Sequence, residues 1–315
     1  DVLLHPEIEC HSNHEGLFLA FCIDPNPDIA RTEVAVASAM PVSGPMTGGT
    51  ALKVKGSGFS FSPNLKCRFG LASVAATFVS SSELACVAPA ASAGAVSLTV
   101  SNNGVDFSST SVAYTFAAVA KVTSVSPKGG FTSGGTAVAV SGTGFVNTTK
   151  LACRFGKTAA SAVEFVSSTQ IKCTAPSSAS GEGPVAVEAS NNGADYTSDA
   201  MQFRYQTAAS VFWIAPNTGP ASGSSAVAVH GFNFVDSDAL FCRFGASKPV
   251  VARWISATKL ECLAPAHAAG VVGVEVTLNN ADFTSDGVKF EFLGLIVVTA
   301  VVPSSGPLMG GTKLA

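Results

Sequence analysis

The chain has 315 residues, room for two or three domains of roughly 100 to 150 residues each. Charged side chains make up 12% of it, against about 25% in an average soluble protein. With 18 basic and 21 acidic residues the net charge is −3, which leaves no polybasic face for phosphate and argues against nucleic-acid binding.

The first residues, Asp1-Val-Leu-Leu-His5-Pro6, lack the basic start, apolar run and small-residue cleavage site of a signal peptide. The expectation is that a leader has been removed or that the chain begins inside something longer. Cys10-His11-x-x-His14 with Cys22 has the ligand types of a metal cluster without the paired spacing of a tetrahedral site. Residues 1–33 therefore read as the tail of a preceding domain, stapled by Cys10 and Cys22, with His5, His11 and His14 on its surface.

From residue 34 on the sequence repeats. Pro41, Pro127, Pro216 and Pro303 are spaced 86, 89 and 87 apart, and each opens a similar phrase: Pro41-Val-Ser-Gly-Pro-Met-Thr-Gly-Gly-Thr50, then Pro127 to Thr136, Pro216 to Ser225 and Pro303 to Thr312. After each of the first three comes an alternating segment, with Leu52 and Val54, Val138 and Val140, and Val227 and Val229, which predicts a half-buried strand. Gly56-Ser-Gly58-Phe59, Gly142-Thr-Gly144-Phe145 and Gly231-Phe-Asn233-Phe234 follow. Asn233 in the Gly position predicts a left-handed backbone there, with the Phe buried just beyond it.

Cys-Arg-Phe-Gly comes next, at Cys67, Cys153 and Cys242, and a second Cys three residues before a Pro at Cys86, Cys173 and Cys262. Each repeat closes with another alternating strand and a turn: Ser101-Asn-Asn-Gly-Val-Asp-Phe107, Ser190-Asn-Asn-Gly-Ala-Asp-Tyr196 and Thr277-Leu-Asn-Asn-Ala-Asp-Phe283. Asn-Gly between alternating runs is a hairpin signal, and Asn280 again stands where the others have Gly. No sustained helical period of apolar residues occurs, so short strands punctuated by Gly, Pro and Asn predict all-β sandwiches.

Eight cysteines, two per repeat plus Cys10 and Cys22, are separated within repeats by 19, 20 and 20 residues. That regularity suggests one disulfide per domain and an oxidising compartment. Zinc fails on spacing, because no Cys-x2-Cys pair occurs and each repeat offers two thiols. Asn147-Thr148-Thr149 is a glycosylation acceptor in a predicted loop.

These phrases resemble the immunoglobulin-like IPT/TIG domains of plexin and hepatocyte-growth-factor-type receptor ectodomains, of ciliary and algal surface proteins and of some transcription factors. The likeness to the extracellular version covers about residues 34–315. It implies that Cys67 pairs with Cys86, Cys153 with Cys173 and Cys242 with Cys262. The boundaries expected are repeat 1 over 34–118, repeat 2 over 119–207, repeat 3 over 208–294 and the start of a fourth over 295–315, arranged as a rod.

The remaining polar residues read as structural. Asp236-Ser-Asp238 lacks the further ligands of a calcium loop and reads as a solvated turn. Asp106, Asp195 and Asp282 recur where a short acid can bond turn amides. Arg68, Arg154 and Arg243 alternate with the Cys and are expected to point outward, with their stems over a neighbouring strand or as a ligand stripe. His230 and His267 stand isolated. No Gly-x-Ser-x-Gly, His-Glu-x2-His, Walker or Gly-x-Gly-x2-Gly pattern occurs, so neither catalysis nor a cofactor nor a metal is expected.

No apolar run reaches the 18 residues of a membrane span; the longest, 293–302, has 10. The joints carry almost no Gly or Ser spacer, so one repeat is expected to run nearly directly into the next. A surface so poor in charge suits burial against copies of itself, against other filament chains, or under glycans. The expectation is a structural segment of a large extracellular or cell-surface protein, a subunit of an extracellular filament or ciliary hair. A receptor stalk and an accessory module of a carbohydrate-active enzyme are the alternatives.

Overall fold

The computed structural model describes residues 33–294, 297 and 299–313; Cys10, Cys22 and the His5, His11 and His14 of the expected tail lie outside them. Every regular element among the described residues is a strand. Repeat 1 contains β1 (Ala35–Met40), β2 (Ser43–Pro45), β3 (Ala51–Ser57), β4 (Lys66–Phe69), β5 (Ala72–Ser80), β6 (Glu83–Val87), β7 (Gly94–Ser101) and β8 (Val112–Ala117). Repeat 2 contains β9 (Lys121–Ser126), β10 (Gly129–Phe131), β11 (Ala137–Thr143), β12 (Ala152–Phe155), β13 (Thr158–Ala159), β14 (Ala162–Ser167), β15 (Gln170–Thr174), β16 (Gly183–Ser190) and β17 (Met201–Gln206). In repeat 3 follow β18 (Ser210–Ala215), β19 (Thr218–Pro220), β20 (Ala226–Phe232), β21 (Phe241–Phe244), β22 (Val250–Ser256), β23 (Lys259–Leu263), β24 (Gly270–Thr277) and β25 (Lys289–Leu293). By contacts the chain divides into two compact units, Asp1–Ala117 and Ala118–Ala315.

Each repeat folds two sheets over one core. In repeat 1 the order runs β1-β3-β6-β5 and continues through β4-β7-β8-β2. The nine-residue β5 joins the two sheets, pairing with β4 at one end and β6 at the other. Repeat 3 repeats this order. Repeat 2 breaks the joining strand into β13 and β14, and its sheets, β14-β15-β11-β9 and β10-β17-β16-β12-β13, stand separate.

The alternation seen in sequence is the burial pattern. Along β3 the side chains alternate outward and inward, with Leu52 and Val54 buried, because successive residues of a strand face opposite sides of the sheet. The Phe after each Gly-x-Gly or Gly-x-Asn is buried: Phe59, Phe145 and Phe234. Asn233 and Asn280 adopt φ of 61° and 57° where the other repeats have left-handed Gly. The core also carries a feature the sequence reading did not single out. The Phe of Cys-Arg-Phe-Gly meets two rings of the last strand edge-on or tilted, as Phe69 with Tyr114 and Phe116, Phe155 with Phe203 and Tyr205, and Phe244 with Phe290 and Phe292. Burying each such ring contributes about 1.5 to 3 kcal/mol, and edge-on geometry suits the ring quadrupoles.

The pairing of the first strand of each repeat slips in register once, and a side chain from the loop before the last strand caps the amide there. The Val36 amide donates to Thr110 Oγ1 at 2.7 Å, Val122 to Asp199 Oδ2 at 2.7 Å and Val211 to Asp286 Oδ2 at 2.8 Å.

Candidate functional site

Recurrent polar residues gather at the closing turn of each repeat, and the structure shows what they do there. β7 and β8 pair antiparallel from Gly94 opposite Phe116 to Leu98 opposite Val112. The expected hairpin is thus present, but residues 102–111 join it as a long loop rather than a two-residue turn. Inside that loop Asn103 Oδ1 accepts the amides of Val105 and Asp106, at 3.0 and 2.8 Å, and Asn103 Nδ2 donates to Asp106 Oδ2 at 2.8 Å. Asn192 and Asp195 in repeat 2, and Asn279 and Asp282 in repeat 3, make the same bonds. The roles differ from those expected: Asn caps the turn amides, and Asp accepts from the Asn side chain.

The Arg of Cys-Arg-Phe-Gly lies on the aromatic ring that ends the turn. Its guanidinium carbon sits 3.9 Å from the centroid of Phe107 for Arg68, 4.2 Å from Tyr196 for Arg154 and 3.8 Å from Phe283 for Arg243. Arg154 also pairs with Glu188 and Arg243 with Glu275, both at 2.5 Å, whereas Arg68 donates to Thr99 Oγ1 at 3.3 Å. These side chains fasten the turn onto the sheet, one face of each guanidinium lying on a ring.

Sulfur chemistry divides the repeats. Bonds join Cys67 to Cys86 and Cys242 to Cys262. Cys153 and Cys173, expected as a third disulfide, are free and buried. A hydrogen bond with Cys153 that favours the protonated form, then burial, then the charge Cys153 would carry, push the Cys173 thiol far above its ordinary range. The two sulfurs are neighbours because β12 and β15 hold the same places as β4 and β6; the fold brings the positions together without requiring the bond.

His230 and His267 are not isolated. His230 stacks on Trp213 with ring centroids 3.9 Å apart and planes 3° from parallel, and His267 stacks on Phe292 at 4.9 Å. Trp213 remains 52% exposed, beside exposed Phe212 and Phe232. Asp236 and Asp238 are exposed. Among the described residues no group of three or more His, Cys, Asp or Glu is placed to hold a metal ion, and no helix is long and apolar enough to cross a membrane. Asn147 is exposed in the loop after Phe145, and Thr148 Oγ1 anchors that loop by donating to the Asn191 carbonyl at 2.6 Å.

One set of contacts had no signal in the repeat pattern except the recurrence of its parts. Within the second unit, Asn279 Nδ2 donates to the Gly129 carbonyl at 2.9 Å and Thr136 Oγ1 donates to Asp282 Oδ2 at 2.6 Å. The closing turn of repeat 3 is thereby bonded to the opening phrase of repeat 2.

Comparison with known proteins agrees with this architecture. The IPT/TIG domain model matches residues 35–116, 120–205 and 211–292. Fibrocystin-L of Mus musculus is 30% identical over 289 residues, covering 89% of this chain and 6% of that protein. Fibrocystin-L of Homo sapiens is 25% identical over 286 residues, 89% of this chain and 7% of that protein. The chain thus spans under a tenth of the length of these relatives. Among solved structures the full extracellular region of plexin A4 aligns over 96% of this chain and 29% of its own, at 18% identity and a TM-score of 0.43. With three matched copies over most of its length, the chain belongs to the IPT/TIG domain family.

Proposed function

We propose that this chain is a non-catalytic spacer within a large extracellular or cell-surface protein built from IPT/TIG repeats. The observation that carries it is the use made of the polar clusters. Arg68, Arg154 and Arg243 and the Asn and Asp of the closing turns are all engaged in fastening loops or joining repeats, which leaves them to position domains rather than perform chemistry. Disulfides in repeats 1 and 3 fit an oxidising compartment. In that compartment Cys153 and Cys173 close a third disulfide and Asn147 carries an N-linked glycan.

A filament subunit is the second reading, and the surface favours it. Phe61, Leu71, Val105 and Val251 are exposed on a chain with 12% charged residues. Such apolar positions in a low-charge surface suit lateral contact with other copies.

The test is secretion of the chain from a eukaryotic cell, followed by intact-mass analysis and sedimentation over a wide concentration range. A glycosylated, fully oxidised monomer is the result expected of a spacer. Reversible growth of ordered polymers would shift the assignment to the filament, and free thiols together with an unmodified Asn147 would count against the extracellular assignment.

A further inference from the structure

The bond between repeats 2 and 3 joins two loops that are each rigid beforehand. On one side Asn279 and Asp282 are locked by the turn's own hydrogen bonds. On the other, Thr136 is 1% exposed and packs so tightly over Gly130 that a Cβ there would fall 2.1 Å from its hydroxyl. Docking two preorganised loops costs little ordering entropy.

Half of the same device recurs in repeat 3. Ser225 packs over Gly219 as Thr136 does over Gly130, with a Cβ at Gly219 meeting the Ser225 hydroxyl at 2.3 Å, and Thr218 stands at the place of Gly129. Ser225 is only half-buried, whereas Thr136, under the turn of repeat 3, is buried. The fourth phrase has the same internal packing, a Cβ at Gly306 meeting the Thr312 hydroxyl at 2.3 Å. It is also set at the same distance: Pro303 follows the last residue of β25, Leu293, by ten positions, as Pro216 follows Gln206 at the end of β17.

We infer that the opening phrase of repeat 3 is a docking site for the Asn-x-x-Asp turn of a further IPT/TIG repeat, with the Thr218 carbonyl and the Ser225 hydroxyl as its contact atoms. The Asn of the incoming turn donates to Thr218 and its Asp accepts from Ser225. The site rests on the geometry of the second unit and holds for a spacer and for a filament alike.

The test lengthens the chain after Ala315 with a second copy of residues 229–294. This completes a fourth repeat in register, Thr312 standing where Ser225 stands, and supplies an Asn279 and Asp282 turn. Spin labels on repeat 3 and on the appended copy report the distance between them, and closure of the appended Cys242–Cys262 bond, read by mass spectrometry, reports folding of the graft. A single narrow distance peak is expected, lost on Asp282→Ala in the appended copy and on Ser225→Ala. The same labels across repeats 2 and 3 of the unlengthened chain, with and without Asp282→Ala, check the parent latch. A broad distribution in the lengthened chain, or a narrow one that both substitutions leave unchanged, overturns the inference. If the graft fails to close its disulfide, residues 140–207 of repeat 2 replace it, with Asp195→Ala as the variant, the same distance reading, and protection of the buried thiols of the appended Cys153 and Cys173 from alkylation as the report of folding.

Discussion

Repeats 1 and 2 place cysteines at equivalent positions and use them differently. In repeat 1 Cys67 and Cys86 are bonded across the core; in repeat 2 Cys153 and Cys173 lie buried as thiols. Yet both cores close around the same set of rings, Phe69, Tyr114 and Phe116 in one and Phe155, Phe203 and Tyr205 in the other. The sandwich is therefore made by alternating apolar positions and the aromatic cluster, and the disulfide is added to a fold that already places its two ends together.

The largest expected effect separates these roles. Closing a loop of about 20 residues stabilises by roughly 3 kcal/mol in the chain-entropy model. Cys67→Ala with Cys86→Ala loses that in addition to two buried sulfurs, whereas Cys153→Ala with Cys173→Ala loses the sulfurs alone. Hydrogen exchange resolved by repeat, on chain in which Cys153 and Cys173 are still thiols, should show repeat 1 destabilised by about 3 kcal/mol more than repeat 2. Equal losses would break the comparison, as they would mean that the Cys67–Cys86 bond adds nothing beyond its two buried sulfurs.

Alkali gives the next effect. The folded Cys173 thiol is held far above its ordinary 9.0, first by its bond with Cys153 and then by burial, and burial pushes Tyr205 up to about 12. A group whose folded pKa exceeds the unfolded value contributes stability that is complete below the unfolded pKa and is lost as pH rises above it. Repeat 2 should accordingly weaken as pH rises above 9 through the thiol, with the phenol adding to the loss above pH 10. Oxidation of Cys153 and Cys173 by glutathione disulfide, which takes up their two electrons and protons, removes the thiol part. Denaturant titrations of reduced and oxidised chain between pH 8 and 11 check both statements.

A smaller contrast sets Arg243 against Arg68. Both guanidinium groups cover a ring, but Arg243 also pairs with Glu275 where Arg68 has Thr99. An ion pair about a third exposed adds about 0.2 to 1 kcal/mol after screening, and the ring contact about 0.5 to 1 kcal/mol. Arg243→Ala should thus cost up to about twice what Arg68→Ala costs, and the excess should shrink in 1 M salt. An excess that salt leaves untouched would assign the difference to packing of the stem.

The sequence makes the repeat unit legible because period-2 alternation and turn residues are local. Leu52 and Val54, Phe59, Asn233 and Asn280 are all found as read. What was not legible depends on partners far along the chain. That Asn103 rather than Asp106 caps the turn, and that Arg68 lies on Phe107, are choices among donors and acceptors within one loop cluster. The bond from Thr136 to Asp282 spans 146 positions and shows in sequence only as the recurrence of both partners. The oxidation state of Cys153 and Cys173 is not a property of spacing at all, since spacing sets only proximity.

The smallest effect tests why repeat 3 departs from Gly-Gly in its opening phrase. A Cβ on Gly134 or Gly223 would fall 2.6 Å from the backbone of the loop after the second Cys, so Gly is kept at this position in every repeat. At the next position a Cβ on Gly135 meets nothing, and Ser224 occupies it in repeat 3 with φ of 66°. Only backbone strain is then at issue, roughly 1 to 2 kcal/mol for a non-Gly residue in the left-handed region, offset by the 0.5 to 1 kcal/mol of chain entropy that Gly gives up on folding. Ser224→Gly should stabilise repeat 3 by about half a kcal/mol, and Gly135→Ser should weaken repeat 2 by the same amount. A much larger loss at Gly135 would mean that the opening phrase of repeat 2, with Thr136 bonded to Asp282, tolerates less adjustment than that of repeat 3.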